Sequence, residues 1–449
     1  MADSLPEDEI EVNKILPALA TFINPRFKII KHINKIFPHS DDPKFFYFGA
    51  VLEPISDDPE EENLSNSVSG YSFFSEGEAL LKCLGEALER HCLRVVNKNK
   101  FTKASCQDLA SQKKNAIDPI RIVSISSNQK KKNKYKLFNF NKNSPFYWTD
   151  GYDLIRKRST LIPAQLIYLS YKLDKDEKCI YLPITTGAAG GSTLLSAVVR
   201  GIYEIIERDA FIIYYLNKLP GRRINLKALK TEDITRIHEY IKSYRLELLC
   251  IDITTELNIP TVLSIVVNRT GVGPSLSLGL KTNMDYKVAI LGSIQESLHS
   301  RGWIRGIYET NPDRVKKITP KHISTLEERA LLWYGKNNIE KLDFFLNAKT
   351  TNIKLGVKSY SFKEQLELVI ERLKNNKMNI YYSEVTLPII KKLGYYVVKV
   401  VIPELQPFWL FEEFPYLGGI RLYELPKKLG FKIRENKEES LNSIPHPFL

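Results

Sequence analysis

The sequence has few cysteines, and the five present, Cys83, Cys92, Cys106, Cys179 and Cys250, are scattered without a C-x-x-C pair. This pattern excludes the usual structural zinc sites and indicates a reducing compartment. No apolar run approaches the length of a membrane span, and the acidic N-terminus lacks the basic and apolar regions of a secretory signal. We therefore predict a cytoplasmic protein with no membrane span.

The common nucleotide-binding sequences are also missing, since the chain contains neither a Walker A sequence nor G-x-G-x-x-G. A bound nucleotide would have to be held in a less familiar way. What the chain does have is an ordinary globular composition, with 43% hydrophobic and 26% charged residues. This composition excludes a disordered or fibrous protein.

The net charge is positive, +13 by formal count, which raises nucleic acid as a partner because clustered Lys and Arg bind phosphate. The densest cluster, residues 130–136, has five lysines in a Ser/Asn/Lys-rich stretch. Such a charge run is typical of a solvated loop. A nucleic-acid-binding protein is therefore a hypothesis from net charge alone, and we predict no nucleic-acid partner.

The order of the apolar patterns predicts an α+β fold, with helices and strands mixed without strict alternation. Residues 1–44 form a predicted N-terminal accessory region, with an amphipathic helix over 15–36, and residues 45–449 form the main domain. A linker is predicted over 126–145. Apolar spacing in the main domain predicts three strong helices, over 76–96, 194–216 and 286–302, and strands that include 46–48, 248–251, 261–267, 275–280 and 396–402.

The same E-x-x-E-R spelling occurs on the first two predicted helices, at residues 86–90 and 204–208. Residues three apart lie on one face of a helix, so each helix points two carboxylates the same way with an arginine beside them. The third helix offers Glu296, followed by Arg301. Grouped carboxylates suit Mg²⁺, which is commonly shared with the phosphates of a nucleotide, and arginine suits the phosphate oxygens.

Two structural alternatives stay open at this point. Each E-x-x-E-R segment is also compatible with ordinary helix-surface charge and intrahelical ion pairs, and Lys82 is correctly spaced to pair with Glu86. The glycine-rich stretch 185–193 precedes the second helix and would allow a phosphate to approach free N–H groups. It is equally compatible with a tight strand-to-helix connection in which Ser192 or Thr193 caps the helix.

The order of these segments resembles the YcaO family, and more particularly its azoline-forming peptide cyclodehydratase branch, which makes thiazole/oxazole-modified microcins. The resemblance spans residues 45–449 and rests on the motifs at 70–72, 85–90, 186–193, 201–210, 252–254, 289–301, 397–407 and 442–448. It implies a YcaO-like fold of mixed sheets packed with helices, in which three carboxylate-bearing helices converge on a nucleotide site.

The resemblance also implies ATP and Mg²⁺ as cofactors and assigns the site residue by residue. The residues carried over as magnesium ligands are Glu86, Glu89, Glu204, Glu207 and Glu296. Those carried over for ATP are Glu86, Arg90, Ser192, Thr193, Arg208 and Arg301. The C-terminal tail, with Pro445, Pro447 and Leu449, is carried over as the segment that orders the active site.

The chemistry implied is attack of a Cys, Ser or Thr side chain on the preceding amide of a ribosomal precursor peptide, phosphorylation of the resulting oxygen, and loss of phosphate to form an azoline. The partners implied are that peptide, a separate leader-binding protein like the ubiquitin-activating enzymes, a second copy of the chain, and a flavin dehydrogenase for later oxidation. His299 and His446 are candidates for a general base by position, and either is also compatible with a structural role.

Several positions depart from the family pattern. Ser192 stands where asparagine is usual, Ser196 where glutamate is often found, and Leu449 where the tail of azoline enzymes ends in proline. They support one alternative, a degenerate YcaO subunit that serves as a scaffold, although retention of all five glutamates opposes it because mutually repelling carboxylates do not help a scaffold. The other enzymatic alternative is a YcaO protein that forms a thioamide or an amidine.

Overall fold

The computed structural model describes residues 6–55, 66–320, 323–356, 358–432 and 437–449. The chain divides into two compact units. Unit 1 comprises Met1–Phe37, Phe45–Ile205 and Phe362–Leu405, and unit 2 comprises Pro38–Lys44, Ile206–Ser361 and Gln406–Leu449. The two units are defined by contacts and do not test whether residues 1–44 are an accessory region. The predicted division into an accessory region over 1–44 and a main domain over 45–449 therefore stays a prediction.

The described α-helices and β-strands are mixed along the chain, as the α+β prediction requires. The helices are α1 (Pro6–Ala20), α2 (Glu76–Arg94), α3 (Cys106–Ser111), α4 (Ser127–Lys130), α5 (Leu194–Leu216), α6 (Glu232–Ser243), α7 (Tyr286–Thr310), α8 (Leu326–Leu332), α9 (Asp343–Leu346), α10 (Phe362–Asn375), α11 (Pro388–Lys392) and α12 (Ile420–Lys428). The strands are β1 (Ile30–Lys35), β2 (Phe46–Leu52), β3 (Ser67–Ser72), β4 (Thr102–Ser105), β5 (Pro145–Asp153), β6 (Arg158–Pro163), β7 (Ala188–Gly191), β8 (Arg222–Ile224), β9 (Glu247–Asp252), β10 (Thr261–Val267), β11 (Leu276–Thr282), β12 (Thr350–Thr351), β13 (Tyr381–Glu384) and β14 (Tyr396–Val401).

Unit 1 contains two antiparallel sheets. One has the strand order β1-β2-β3, and the other has the order β4-β5-β13-β14-β7, with β6 paired to β5. Helix α2 lies very close to β3, because a Cβ added at Gly70 would stand 2.2 Å from the carbonyl oxygen of Ala79 and from the backbone nitrogen of Cys83. A glycine at position 70 therefore lets the first carboxylate-bearing helix lie against its sheet.

Unit 2 is built on one sheet with the order β11-β10-β9-β8-β12, in which β12 runs parallel to β8 and the other pairs are antiparallel. All seven residues of β10 are buried, as expected for a strand covered on both faces. Helix α7 lies against β11, since a Cβ added at Gly279 would stand 2.2 Å from the carbonyl oxygen of Ser293. The third carboxylate-bearing helix is thus fixed to a buried sheet.

The structure confirms the predicted long helices and most predicted strands. Helix α5 matches its prediction over 194–216, and it belongs to unit 1 up to Ile205 and to unit 2 from Ile206. The predicted helix over 15–36 is wrong in its second half, because α1 ends at Ala20 and residues 30–35 form β1. Pro25 cannot continue a helix, and the following apolar residues instead pair with β2.

The lysine-rich run is solvated, as predicted, but it is not an irregular loop. Residues 127–130 form α4, capped by Ser126 and Gln129, and Asn133–Phe138 form a 3₁₀ helix. Tyr135 and Phe138 are buried beneath the exposed lysines and hold the segment in place. None of the described helices is long and apolar enough to cross a membrane.

Candidate functional site

Three of the predicted carboxylates lie in unit 1, where α2 and the first part of α5 carry Glu86, Glu89 and Glu204. With Lys399 of β14 they are called here the unit 1 cluster. Glu86 accepts hydrogen bonds from the Ser69 N–H at 2.9 Å and from the Arg90 guanidinium at 2.7 Å. Glu204 accepts one from the Gly187 N–H at 3.0 Å. Backbone donors from β3 and from the glycine-rich turn therefore orient two of the carboxylates.

The charges of the unit 1 cluster act on one another. Burial raises the pKa of Glu89 to about 8, and the neighbouring carboxylates of Glu204 and Glu86 raise it further, against the opposing charges of Arg90 and Lys399. Burial lowers the pKa of Lys399 to about 8, while Glu204 and Glu89 act in the opposite direction. Such mutual shifts require the groups to lie within electrostatic reach, so the sequence-predicted carboxylates of this unit are brought together.

The glycine-rich stretch before α5 has the features of the tight, capped connection that was one of its two sequence interpretations. Gly187 has φ of +87°, and a Cβ there would stand 2.5 Å from the carbonyl oxygen of Val400, so only glycine fits. The Thr193 hydroxyl accepts a hydrogen bond from the Ser196 N–H at 3.0 Å and thereby caps α5. Ser192 is half-buried and Thr193 is exposed. The roles of Ser192 and Thr193 toward ATP stay predictions.

The remaining carboxylates, Glu207 and Glu296, lie in unit 2 and form the unit 2 cluster with Arg208. Glu207 accepts a hydrogen bond from the Thr282 N–H at 2.8 Å. The Arg208 guanidinium lies 3.1 Å from a Glu207 carboxylate oxygen and 4.0 Å from one of Glu296. Burial raises the pKa of Glu296 to about 7, with Glu207 adding to the rise and Arg208 opposing it. An arginine is thus held beside two carboxylates, and the pKa of one of them, Glu296, is raised.

The C-terminal tail packs in unit 2 against the same arginine. The Phe448 ring, 1% exposed, lies with its centroid 4.2 Å from the Arg208 guanidinium carbon, and Phe408 adds a second ring at 5.6 Å. The tail is anchored by its backbone, because the Pro445 carbonyl accepts hydrogen bonds from Tyr215 at 3.2 Å and from Trp333 at 3.0 Å. The tail therefore holds Arg208 through an aromatic face.

The side chains of the predicted tail residues bear no group that could donate or accept a proton in catalysis. Pro445 and Pro447 are buried, and Leu449 is partly exposed. Burial lowers the pKa of His446 well below its usual value, and burial lowers that of His299 to about 3. Neither histidine has a pKa matched to general-base catalysis at neutral pH.

Two predicted arginines already have protein partners. Arg90 donates to Glu86 and to the Ser67 carbonyl at 2.9 Å. Arg301, 2% exposed, donates from Nε to Asp42 at 2.7 Å and from a terminal nitrogen to the Pro274 carbonyl at 2.6 Å. The structure does not bring Arg301 into the unit 2 cluster as an ion-pair partner of its carboxylates, and its role as a phosphate ligand stays a prediction.

Comparison with known proteins identifies the family. Residues 72–406 match the family model described as YcaO cyclodehydratase, ATP- and Mg²⁺-binding. The chain belongs to the YcaO family. The match confirms the resemblance given by the motifs. It also confirms the prediction of an ATP-dependent YcaO-type enzyme whose cofactors are ATP and Mg²⁺.

Solved structures share the fold at low sequence identity. A heterocyclase in complex with substrate and cofactor has a TM-score of 0.79 and 20% identity, covering 97% of this chain and 57% of its own. YcaO from Methanopyrus kandleri, bound with AMPPCP and Mg²⁺, has a TM-score of 0.60 and 13% identity, covering 88% and 91%. The E. coli microcin synthetase McbBCD complex gives 0.58 and 14%, covering 83% and 88%. The chain thus spans a little over half the length of the first of these.

The residues present suit Mg²⁺·ATP in their chemistry. In the part of the chain that the structure describes, no three Asp, Glu, His or Cys side chains are arranged to hold a metal ion by themselves. Mg²⁺ usually takes only one or two carboxylates and completes its shell with water and phosphate oxygens, so paired glutamates fit it. Convergence of three helices on one nucleotide site stays a prediction.

The sequence interpretation did not assign Lys399 of the unit 1 cluster, nor Phe448 and Asp42, which contact two of the predicted arginines. Lys399 had a visible signal, because it is a lysine within a run of apolar residues. Phe448 and Asp42 had none, since each contacts an arginine that is more than 200 residues away in the chain.

Proposed function

We propose that this chain is an ATP-dependent peptide cyclodehydratase that forms thiazoline or oxazoline rings from Cys, Ser or Thr of a ribosomal precursor peptide. The observation that carries the proposal is the presence of two acidic clusters, each with an arginine beside one of its glutamates, in a chain of the YcaO cyclodehydratase family. Surface charge alone does not account for carboxylates whose pKa values are raised by burial and by one another.

The proposed reaction activates a backbone amide. The Cys thiol or Ser/Thr hydroxyl of the peptide adds to the preceding carbonyl carbon, and the former carbonyl oxygen receives a phosphoryl group. Loss of that oxygen as phosphate, with loss of the N–H proton, leaves a C=N bond in a five-membered ring. ATP supplies the phosphoryl group, which turns a poor oxygen leaving group into a good one.

Within this proposal each residue set has a binding role. Glu86, Glu89, Glu204, Glu207 and Glu296 would hold Mg²⁺, and Arg208 would bind phosphate oxygens. Arg208 is suited to this because its fork matches phosphate geometry and because the Phe448 ring lies against its guanidinium group. Arg90, Ser192, Thr193 and Arg301 are further candidates for ATP contacts. Pro445, Pro447 and Leu449 would act indirectly, through the position of the tail.

We further propose a separate leader-binding protein as partner, which is what the family resemblance implies. The E. coli microcin synthetase, a complex, offers a precedent for such an assembly. A homodimer and a later flavin dehydrogenase step belong to the same proposal. A thioamide- or amidine-forming YcaO enzyme and a non-catalytic scaffold are the alternatives.

The test is mass spectrometry of a candidate precursor peptide incubated with the protein, its partner, Mg²⁺ and ATP. Loss of one water per modified residue, dependent on ATP, is expected. Exchange of oxygen for sulfur would indicate the thioamide alternative instead. The Glu204→Gln, Glu207→Gln double variant should abolish both modification and calorimetric binding of an ATP analogue with Mg²⁺, and no such binding by the wild type would refute the proposal.

A further inference from the structure

Arg329 is a fully buried cation that the proposed reaction does not use. It lies on α8 in unit 2 and is 0% exposed. An arginine is rarely buried in this way unless it is paired, because removing a guanidinium group from water is costly. The groups that bind Arg329 therefore show which parts of the unit it holds together.

The partners of Arg329 lie in two segments of unit 2. One terminal nitrogen donates to the Glu412 carboxylate at 2.6 Å and to the His446 carbonyl at 3.0 Å. The other terminal nitrogen donates to the Leu410 carbonyl. A single planar guanidinium group thus joins the C-terminal tail to residues 410–412.

The sequence of the tail makes such donors necessary. Pro445 and Pro447 have no N–H group, so a regular strand ladder cannot hold this segment. Its carbonyl groups are bound by side chains instead. Trp333, four residues after Arg329, donates to the Pro445 carbonyl at 3.0 Å, and Arg329 binds the next carbonyl, that of His446. One end of α8 therefore supplies donors to two successive tail carbonyls.

The tail held in this way places aromatic rings against Arg208. The Phe448 ring, two residues after His446, has its centroid 4.2 Å from the Arg208 guanidinium carbon. The His446 ring lies 4.5 Å from the Phe408 ring, centroid to centroid, and Phe408 lies 5.6 Å from the same guanidinium carbon. Both rings are therefore tied to His446, whose carbonyl Arg329 binds.

We propose that Arg329 is a positioning residue that seats the C-terminal tail and thereby keeps Phe448 against Arg208. Its effect on nucleotide binding rests on the proposed phosphate-binding role of Arg208, whereas seating of the tail does not. Without the Arg329 fork, the His446 carbonyl loses its donor and the tail leaves its place more often. Arg208 then loses its aromatic contact and holds phosphate less well.

The first measurement is hydrogen–deuterium exchange of residues 441–449 in the ligand-free protein, for wild type and Arg329→Lys. Lysine keeps a positive charge beside Glu412 but cannot present two terminal nitrogens in one fork. We expect the tail amides to exchange at least about tenfold faster in the variant, because a hydrogen bond from a charged group is lost. If Arg329→Lys does not fold, the Arg329→Met, Glu412→Gln double variant replaces it, because it leaves no unpaired buried charge.

Ile234→Ala is the control for general loss of stability. Ile234 is fully buried on α6 of the same unit, and its truncation removes core packing without removing a donor to the tail. Exchange of residues 441–449 should stay close to the wild-type rate in this variant. Faster exchange in Arg329→Lys alone would therefore report on the tail.

The second measurement is calorimetric binding of Mg²⁺ with a non-hydrolysable ATP analogue. Arg329→Lys should bind up to about thirtyfold more weakly than wild type, which is the full effect of losing a desolvated cation–π contact. Phe448→Leu should show the same loss, and combining the two substitutions should weaken binding no further, because both act through one contact. A merely structural role of Arg329 would make the two losses add.

The results separate this inference from the proposed function. Unchanged exchange of the tail in Arg329→Lys, or an equal increase in Ile234→Ala, would overturn the inference. Additive losses of affinity would also overturn it, as would wild-type affinity in a variant whose tail exchanges faster. If the wild type binds no analogue, the proposed function is refuted, and the exchange rates alone decide whether Arg329 seats the tail.

Discussion

The contact between Phe448 and Arg208 gives the sharpest prediction about the tail. Phe448→Leu keeps an apolar side chain in a position that is 1% exposed but removes the aromatic face, whose centroid lies 4.2 Å from the guanidinium carbon. A desolvated cation–π contact is worth about 2 kcal/mol, and about 1 kcal/mol when water has access. The Arg208 side chain is only 12% exposed, so the higher value applies.

If Arg208 binds phosphate, loosening it should weaken binding of Mg²⁺ with a non-hydrolysable ATP analogue by up to about thirtyfold, since about 2 kcal/mol is roughly one and a half decades at 1.4 kcal/mol per decade. Isothermal titration calorimetry measures this directly. Phe448→Tyr should bind as wild type because it keeps the ring. Phe345→Leu, at a fully buried position of α9 in the same unit, controls for general loss of core packing. Wild-type affinity in Phe448→Leu, with weakened affinity in Arg208→Gln, would show that the tail does not act through Arg208.

Two further predictions concern the clusters and the turn. The pKa values of Glu89 and Glu296 are raised to about 8 and about 7, so the folded state binds more protons than the unfolded state above the ordinary carboxylate range. These two groups should therefore make the stability of the ligand-free protein fall as pH rises from about 6.5 to about 8, measured by thermal unfolding. Below about pH 6.5 the buried His299 and His446, whose pKa values are lowered, act in the opposite direction because they bind protons on unfolding. Glu296→Gln should flatten the fall above about pH 6.5, and an unchanged slope would contradict the clustering. Gly187→Ala should lower the free energy of unfolding by more than about 2 kcal/mol, because positive φ and the nearby Val400 carbonyl both oppose a Cβ. In urea unfolding, Gly394→Ala, with φ of +76° but open space around it, should cost only about 1 kcal/mol, and equal costs would refute the close approach.

The elements predicted best from the sequence are those in which one pattern of apolar residues continues over several helical turns or along a whole buried strand. Helix α5 and strand β10 were placed to the residue, because 23 and seven residues respectively keep one pattern throughout. The helix over 15–36 failed because its apolar spacing is shared by a short helix, a proline turn and β1. Only pairing with β2 decides in favour of a strand there, and that contact is not local.

The carboxylates were predictable and their partners were not. Spacing on one helix shows which glutamates face the same way, whereas the donors that orient them come from other elements: Ser69 from β3, Gly187 from the turn and Thr282 from β11. No periodicity links such positions. For the same reason the sequence could not predict the ion pair of Arg301 with Asp42, because the two residues are far apart in the chain. This pair gives Arg301 a partner other than phosphate.

The geometry also decides how far ordinary helix-surface charge explains the E-x-x-E-R segments. That interpretation holds for Glu86 and Arg90, which form an intrahelical ion pair, and for Lys82, which pairs with Glu78 and not with Glu86. It does not explain why Glu86, Glu204 and Glu207 each accept a backbone N–H group from outside their helix. In each cluster one carboxylate, Glu89 or Glu296, is held where burial and like charge raise its pKa, and its ionisation costs stability in the ligand-free chain. A cation that binds only the folded state recovers this cost, because it adds RT ln(1 + [L]/Kd) to the free energy of unfolding, where [L] is its concentration. The clusters are therefore better explained as a ligand site than as part of the scaffold.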